Sequence, residues 1–207
     1  MNALKIAWKE SLNDPKFRRE FVITFITLVV LLFFLSYFFA FIEARPSYQV
    51  NDIILNLLQP VDLSVYTFII IYALAVYTLI IILPRPKLFL KAIQAYAVIL
   101  FIRLITLYFV PLEAPRGIIP LHDPFIEQFF YGQTRITKDL FFSGHVATVT
   151  LLYLVNPHPK LKWLYISAIF LIALLIMIQR VHYSFDVFAA PVFAWISWKI
   201  VSITART

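Results

Sequence analysis

Phe21-Val-Ile-Thr-Phe-Ile-Thr-Leu-Val-Val-Leu-Leu-Phe-Phe-Leu-Ser-Tyr-Phe-Phe-Ala-Phe-Ile42 is a run without one charged side chain. About 20 apolar helical residues cross a hydrocarbon core roughly 30 Å thick, so this run has the length and character of a membrane span. Five more follow: Ser64–Leu83, Phe89–Val110, Phe141–Val155, Leu161–Ile178 and Phe185–Ile203. The fourth of the six is the shortest. It spans only if residues 143–145 lie inside the membrane boundary where it begins. The whole chain is 62% apolar or aromatic, with a mean hydropathy of +0.86, against about 45–50% apolar in soluble domains. In lipid every backbone polar group must be paired within the chain. The expected fold is therefore all-α, a polytopic membrane protein of six transmembrane helices. It forms one integral-membrane domain over residues 1–207, with a cytoplasmic amphipathic segment at 1–20 and the bundle at 21–203.

Charge orients that bundle. Lys5, Lys9, Lys16, Arg18 and Arg19 precede the first span, and Arg85, Lys87 and Lys91 separate the second from the third. Lys160 and Lys162 separate the fourth from the fifth, and Lys199 and Arg206 close the chain. Glu43, Asp52, Asp62, Glu113, Asp123, Glu127 and Asp139 fall on the opposite side. The positive-inside rule then predicts cytoplasmic termini. The net charge of +7 is mostly this orientation signal, reinforced by attraction to anionic lipid headgroups. Bases confined to short loops at membrane ends give no support to a nucleic-acid partner. With no cysteine, disulfides, thiolate nucleophiles and cysteine-based metal sites are excluded.

Three segments outside the spans carry further expectations. Leu4–Arg19 reads as an amphipathic helix on the cytoplasmic surface with Ile6, Ala7 and Trp8 against lipid. Asn51-Asp52-Ile-Ile-Leu-Asn-Leu-Leu in the loop 43–63 has helical spacing and predicts a short interfacial helix. The loop Pro111–Leu140 mixes polar, aromatic and proline residues in the manner of a lid or substrate entrance.

The chemistry lies in Ser143-Gly144-His145 and His182-Tyr183-Ser184-Phe185-Asp186. Both strings sit at the edges of apolar runs, on the side away from the cytoplasm. Asp186 follows His182 by four residues, one helical turn, so the two side chains share a face. A carboxylate bonded to one ring nitrogen fixes the tautomer and aims the other at an electrophile. His182 is the expected nucleophile. His145 is the expected acid for the leaving oxygen and then the base for the acceptor, because imidazole titrates near working pH. Gly144 allows close backbone approach, and free amides at a helix start bind phosphate. Ser143 and Gly144 thus form a candidate phosphate cradle.

Other residues admit two roles each. Arg103, in the middle of the third span, either clamps phosphate in the bundle interior or pairs with a structural carboxylate. Arg180 is a second clamp or an interfacial anchor. Asp139 orients a histidine, binds a polar headgroup, or is solvated in its loop. Tyr108 bonds substrate or belongs to an interfacial aromatic belt. His122 and His158 read as ordinary loop residues. Metal-ligand spacing such as H-E-x-x-H is absent, and the expectation is no metal and no cofactor.

Asp139-Leu-Phe-Phe-Ser143-Gly-His145 and His182-Tyr-Ser-Phe-Asp186-Val187 resemble the third and fourth motifs of the sphingomyelin synthase family. That family lies within the type-2 phosphatidic acid phosphatase superfamily. Arg103-Leu-Ile-Thr-Leu-Tyr108 with Pro111-Leu112 resembles its second motif. The resemblance implies six spans, cytoplasmic termini, an outward-facing site and a metal-independent transfer through a phosphohistidine. It implies attack by His182, with His145 and Asp186 in the roles argued above. The chain departs from the motifs at Thr137-Lys138, Val146 and Pro191, positions that bear on headgroup choice. The phosphatase branch's K-x6-R-P motif has no counterpart at Arg45-Pro46 or Arg85-Pro86, and its arginine before the nucleophile is Ile176. The expected function is a lipid phosphotransferase moving a phospho-headgroup from a phospholipid to a lipid alcohol. The alternative is a lipid phosphatase or phospholipase-C-like hydrolase with water as acceptor at the same site. Membrane lipids are the expected partners. A transporter or structural membrane protein would leave the His–Asp spacing without a purpose.

Overall fold

Asp14-Pro15 breaks the N-terminal helix. The Asp14 carboxylate accepts from the Lys16 amide at 2.9 Å, and a proline at the first helical position lacks only an amide that would be unpaired anyway. The result is two helices, α1 (Asn2–Asn13) and α2 (Pro15–Ala44), where the pattern predicted one amphipathic segment running to Arg19. Lys16, Arg18 and Arg19 consequently belong to the first turns of α2. Ile6 is exposed, as a lipid-facing residue should be. Trp8 instead turns into the bundle. Its ring meets Phe17, Phe21 and Phe89 edge-on, and its indole N–H donates to the Leu83 carbonyl at 2.8 Å.

The structure is a computed structural model that describes residues 2–122 and 136–204. Asp123 and Glu127, counted above among the acids facing away from the cytoplasm, and the middle of the expected lid lie outside the described residues. After α2 come α3 (Ile53–Asn56), α4 (Ser64–Ile82), α5 (Pro86–Phe109) and α6 (Gly144–Val155). A 3₁₀ turn at Pro159–Leu161 leads into α7 (Lys162–Ile178), and α8 (Ser184–Thr204) follows. Extended pairing among the described residues is limited to one isolated parallel bridge, Tyr48 with Leu112. The fold is all-α. The short interfacial helix is present as the single turn α3, capped by Asp52, whose carboxylate accepts from the Ile54 and Leu55 amides.

Among the described residues five helices are long and apolar enough to cross a membrane: α2, α4, α5, α7 with its leading turn, and α8. The chain is an integral membrane protein. α6 is shorter than the run predicted from Phe141, because the helix starts only after Ser143. Its 12 residues at 1.5 Å each make about 18 Å, short of a 30 Å core. Non-helical backbone at membrane depth is tolerated where protein covers it. Around α6 that condition holds, since Leu140, Phe142, Ser143, Val146, Ala147, Val149 and Val155 are all buried.

Successive helices run in opposite directions. At one end the Arg45 guanidinium, just after α2, donates to the Leu107 and Tyr108 carbonyls at the end of α5. At that same end Gln179, just after α7, bonds Ser64 at the start of α4. At the other end Trp8 reaches Leu83, and Lys91 of α5 lies over the ring of Trp198 in α8. Residues 2 and 204 therefore share one end, with the basic side chains of α1, α2, α5 and α7.

Lipid tails are as apolar as leucine, so packing and interhelical hydrogen bonds hold such a bundle. Ala95 of α5, Ala147 of α6 and Ala190 and Ala194 of α8 are fully buried, and their small side chains let backbones approach. Phe142 stacks on Phe193 with ring centroids 4.3 Å apart. The Thr78 hydroxyl donates to Leu74 O at 2.7 Å and so accepts from the Tyr165 hydroxyl, also at 2.7 Å, joining α4 to α7. Phe33, Tyr37, Phe109, Trp163 and Phe170 point outward, each more than 70% exposed. Such side chains on a helical bundle face lipid rather than water.

Candidate active site

Ser143 starts α6. Its hydroxyl accepts from the Val146 amide at the long end of hydrogen bonding, 3.5 Å, and its own amide donates to the Asp186 carbonyl at 3.2 Å. That second bond ties the start of α6 to the first turn of α8. The N-termini of two helices thus meet, and both direct positive dipole ends at the same region. His145 is the second residue of α6. His182 stands two residues before α8.

Their rings face each other, with centroids 6.1 Å apart and planes at 65°. His182 is buried and Asp186 is fully buried. His182 Nδ1 lies 3.6 Å from Asp186 Oδ2, facing it but beyond hydrogen-bond length. Among the described residues His182 Nδ1 and Asp186 Oδ1 have no hydrogen-bond partner. Asp186 Oδ2 accepts from the Tyr183 amide at 3.1 Å, which holds the carboxylate in place. Catalytic hydrogen bonds in a protein without substrate are often long and tighten on binding. Phe68 of α4 presents its ring to His145 at 5.8 Å and 68°, closing one side of the site with apolar surface.

The expected phosphate ligands divide. Gly144 and Arg103 are together: a Cβ on Gly144 would lie 3.1 Å from Arg103 Cζ. Arg103 is buried, and its fork donates to the Phe142 carbonyl and to Asp139. Asp139 thus pairs with Arg103 rather than with an imidazole. Arg180, with a left-handed φ of 57°, donates to the carbonyls of Arg116, Leu55 and Leu58. Tyr108 is 54% exposed and stacks on Phe41 at 6.3 Å, outside the histidine cluster.

Several residues around the site went unremarked as site residues in the sequence. Asp52 Oδ2 accepts from the Ser184 amide at 2.6 Å. Burial opposes ionisation of Asp52, but the amides of Ser184, Leu55 and Ile54 outweigh it and hold the carboxyl below its ordinary value. The Tyr183 hydroxyl donates to Glu113 O at 2.9 Å and accepts from the Val50 amide at 3.2 Å, and burial pushes this phenol up. Gln179, fully buried, accepts from the Leu63 amide and donates to Ser64 Oγ and the Pro120 carbonyl. The Ser64 amide and hydroxyl in turn keep the Asp62 carboxyl low. The turn that carries His182 is therefore tied to the loops before α3 and α4 and after α5. The local signals were an aspartate before an apolar turn at Asp52 and the Asp62-Leu63-Ser64 spacing; the bonds of the Tyr183 hydroxyl, the Gln179 side chain to Leu63, Ser64 and Pro120, and the Ser184 amide join residues 59 or more positions apart.

Residues 138–203 match the family described as PAP2 superfamily C-terminal. The matched stretch contains both histidines, Asp186 and Ser143-Gly144. It supports a place in the type-2 phosphatidic acid phosphatase superfamily and, broadly, an enzyme of lipid phosphatase or phosphotransferase type. No curated protein matches the chain.

Proposed function

We propose, taking the PAP2-like C-terminal stretch as the premise, that this protein is a lipid phosphotransferase of sphingomyelin synthase type. It moves a phospho-headgroup from a phospholipid to a lipid alcohol. The observation that carries this is the meeting of the His145 and His182 rings, 6.1 Å apart, where α6 and α8 both begin. Attack on phosphorus starts from about 3–3.5 Å, and a proton donor must lie within about 2.6–3.2 Å of the leaving oxygen. Rings at this separation can serve the two sides of one phosphoryl group.

His182 Nδ1 faces Asp186, so a proton on Nδ1 leaves the Nε2 lone pair as nucleophile. Nε2 bonds to phosphorus, the phosphorus–oxygen bond to the lipid breaks, and the departing oxygen takes a proton from His145. The phosphohistidine is then attacked by the acceptor hydroxyl, whose proton goes to the now neutral His145. The phosphorus–nitrogen bond breaks and His182 is regenerated. Charge on the phosphoryl oxygens meets the amide ends of α6 and α8. Arg103 holds Gly144 and Phe142 in place beneath that charge. No step draws on a metal.

The basic end of the bundle is assigned to the cytoplasm by the positive-inside rule. The histidines then face the opposite side, within one catalytic domain covering residues 1–207, and the substrates are membrane lipids of that leaflet. The experiment is to incubate the purified protein in detergent with a panel of fluorescent phospholipids and lipid alcohols. Products are followed by mass spectrometry. Headgroup appearing on a second lipid supports transfer. Headgroup released as free phosphate or as a phosphorylated alcohol makes water the acceptor. No turnover of any lipid ends the enzymatic assignment.

A further inference from the structure

A cavity of about 450 Å³ is bordered by Tyr183, the residue after His182. Its walls come from the 49–56 segment, Pro115-Arg116, Arg180 and Tyr183. His145 and His182 do not line it, so it is distinct from the histidine site. Its volume falls within the range of small-molecule sites, about 300–1,000 Å³, which is more than a bare ion needs.

Charge decides what it would hold. Two guanidinium groups, Arg116 and Arg180, line the cavity with one carboxylate, Asp52. Both Asp52 oxygens are committed to amides, Oδ1 to Ile54 and Leu55 and Oδ2 to Ser184. No carboxylate pairs with either arginine among the described residues. Arg180 spends Nη1 and Nη2 on carbonyls, which fixes its charge in position without neutralising it. Arg116 donates Nε to Gln49 Oε1 at 3.0 Å, which turns its guanidinium while Nη1 and Nη2 keep no partner among the described residues. A paired, forked donor beside a second fixed cation is the arrangement that recognises phosphate oxygens. Amide side chains of Asn51 and Asn56, bonded to each other at 2.9 Å, supply further polar wall.

We infer that this cavity binds a phosphate-bearing group at a second site, separate from the one that reacts. The ligand chemistry is a phosphate monoester or diester, hydrogen-bonded by Arg116 beside the fixed charge of Arg180, with its remaining atoms against the polar wall. Tyr183 and Asp52 line this cavity and also bond the turn carrying His182, so occupancy is transmitted to the nucleophile through backbone contacts already present. The site does not depend on the transfer reaction proposed above.

The test uses the full chain in detergent carrying His182→Ala, so that no turnover consumes the probe. Binding of inorganic phosphate and of dihexanoyl phosphatidic acid is measured by isothermal titration calorimetry. Arg116 is exposed on its loop, so Arg116→Gln is expected to melt at the parent temperature. It should weaken binding at least tenfold, and Arg116→Lys should fall between the two, because lysine keeps the charge but not the fork. Binding of the lipid alone identifies a headgroup site, and equal binding of inorganic phosphate identifies a site for the free anion. Binding of neither probe, or equal affinity in Arg116→Gln and its parent, overturns the inference. Loss of catalysis in His182→Ala is read separately by lipid turnover, so the two proposals fail independently.

Discussion

The Asp52 carboxylate accepts a hydrogen bond from the Ser184 amide at 2.6 Å while its other oxygen caps α3. One side chain thus joins the loop after α2 to the first residue of the helix that carries Asp186. Asp52→Asn keeps an acceptor on one side only, because the amide nitrogen must face either Ser184 or the α3 amides, all of them donors. The expected loss is about 1–3 kcal/mol. The sign with pH follows from the depressed carboxyl. Its stabilisation is complete above the unfolded value, near the ordinary 3.8, and is lost as pH falls through the lower folded value. Thermal unfolding in detergent from pH 7 down to pH 3 should show a shallower acid limb in Asp52→Asn than in the parent.

Arg103 and Gly144 form the second test. Arg103→Met removes both donors from Asp139 and the Phe142 carbonyl, and breaking a buried pair costs about 3–5 kcal/mol. Partial exposure of Asp139 puts the expected loss near the lower figure. Gly144→Ala brings a methyl group to 3.1 Å from Arg103 Cζ. The arginine is pinned at both ends of its fork and has little room to yield, so overpacking of about 1–3 kcal/mol is expected. Unchanged melting of both variants would contradict this account of the α6 start.

Arg180 tests the turn itself. Its left-handed φ costs a non-glycine residue about 1–2 kcal/mol, offset by three bonds to carbonyls. Arg180→Ala keeps the cost and loses the bonds; Arg180→Gly loses the bonds and the cost. Glycine should therefore be the more stable of the two by about 1 kcal/mol. Denaturant or thermal melts of the pair decide it, and alanine equal to glycine would remove the backbone argument.

The imidazoles divide by step. On the proposed mechanism His182→Ala removes the nucleophile and should abolish lipid turnover. His145→Ala removes proton transfer, a contribution of about 10²–10⁴-fold, and an acceptor or leaving group of lower pKa should recover part of kcat. Asp186→Asn should lower kcat with little change in KM, since it acts on the orientation of His182. A His145→Ala variant with parental kcat would exclude its role in proton transfer.

Span positions were legible because a lipid-crossing helix needs a long uninterrupted apolar run, a property of local sequence. The approach of His182 to Asp186 was legible from their four-residue spacing, although His182 stands in the turn before α8 and the two share no helical face. The break at Asn13 was encoded in Asp14-Pro15, although amphipathic spacing through Arg19 concealed it. The short α6 was concealed differently: Phe141 and Phe142 are apolar enough to extend the run but lie outside the helix that Ser143 starts. Asp139 with Arg103, and Asp52 with Ser184, join residues 36 and 132 positions apart. No spacing rule reaches that far, and an acidic residue in a loop looks the same whether solvated or paired.

An even number of passes returns a chain to the side it left. With α6 counted as the short sixth pass, whichever compartment receives residue 2 also receives residue 204, and the two histidines open on the other. On the proposed reading a soluble module fused at either end would share no solvent with the reacting phosphate. Communication between them would have to run along the length of the helices.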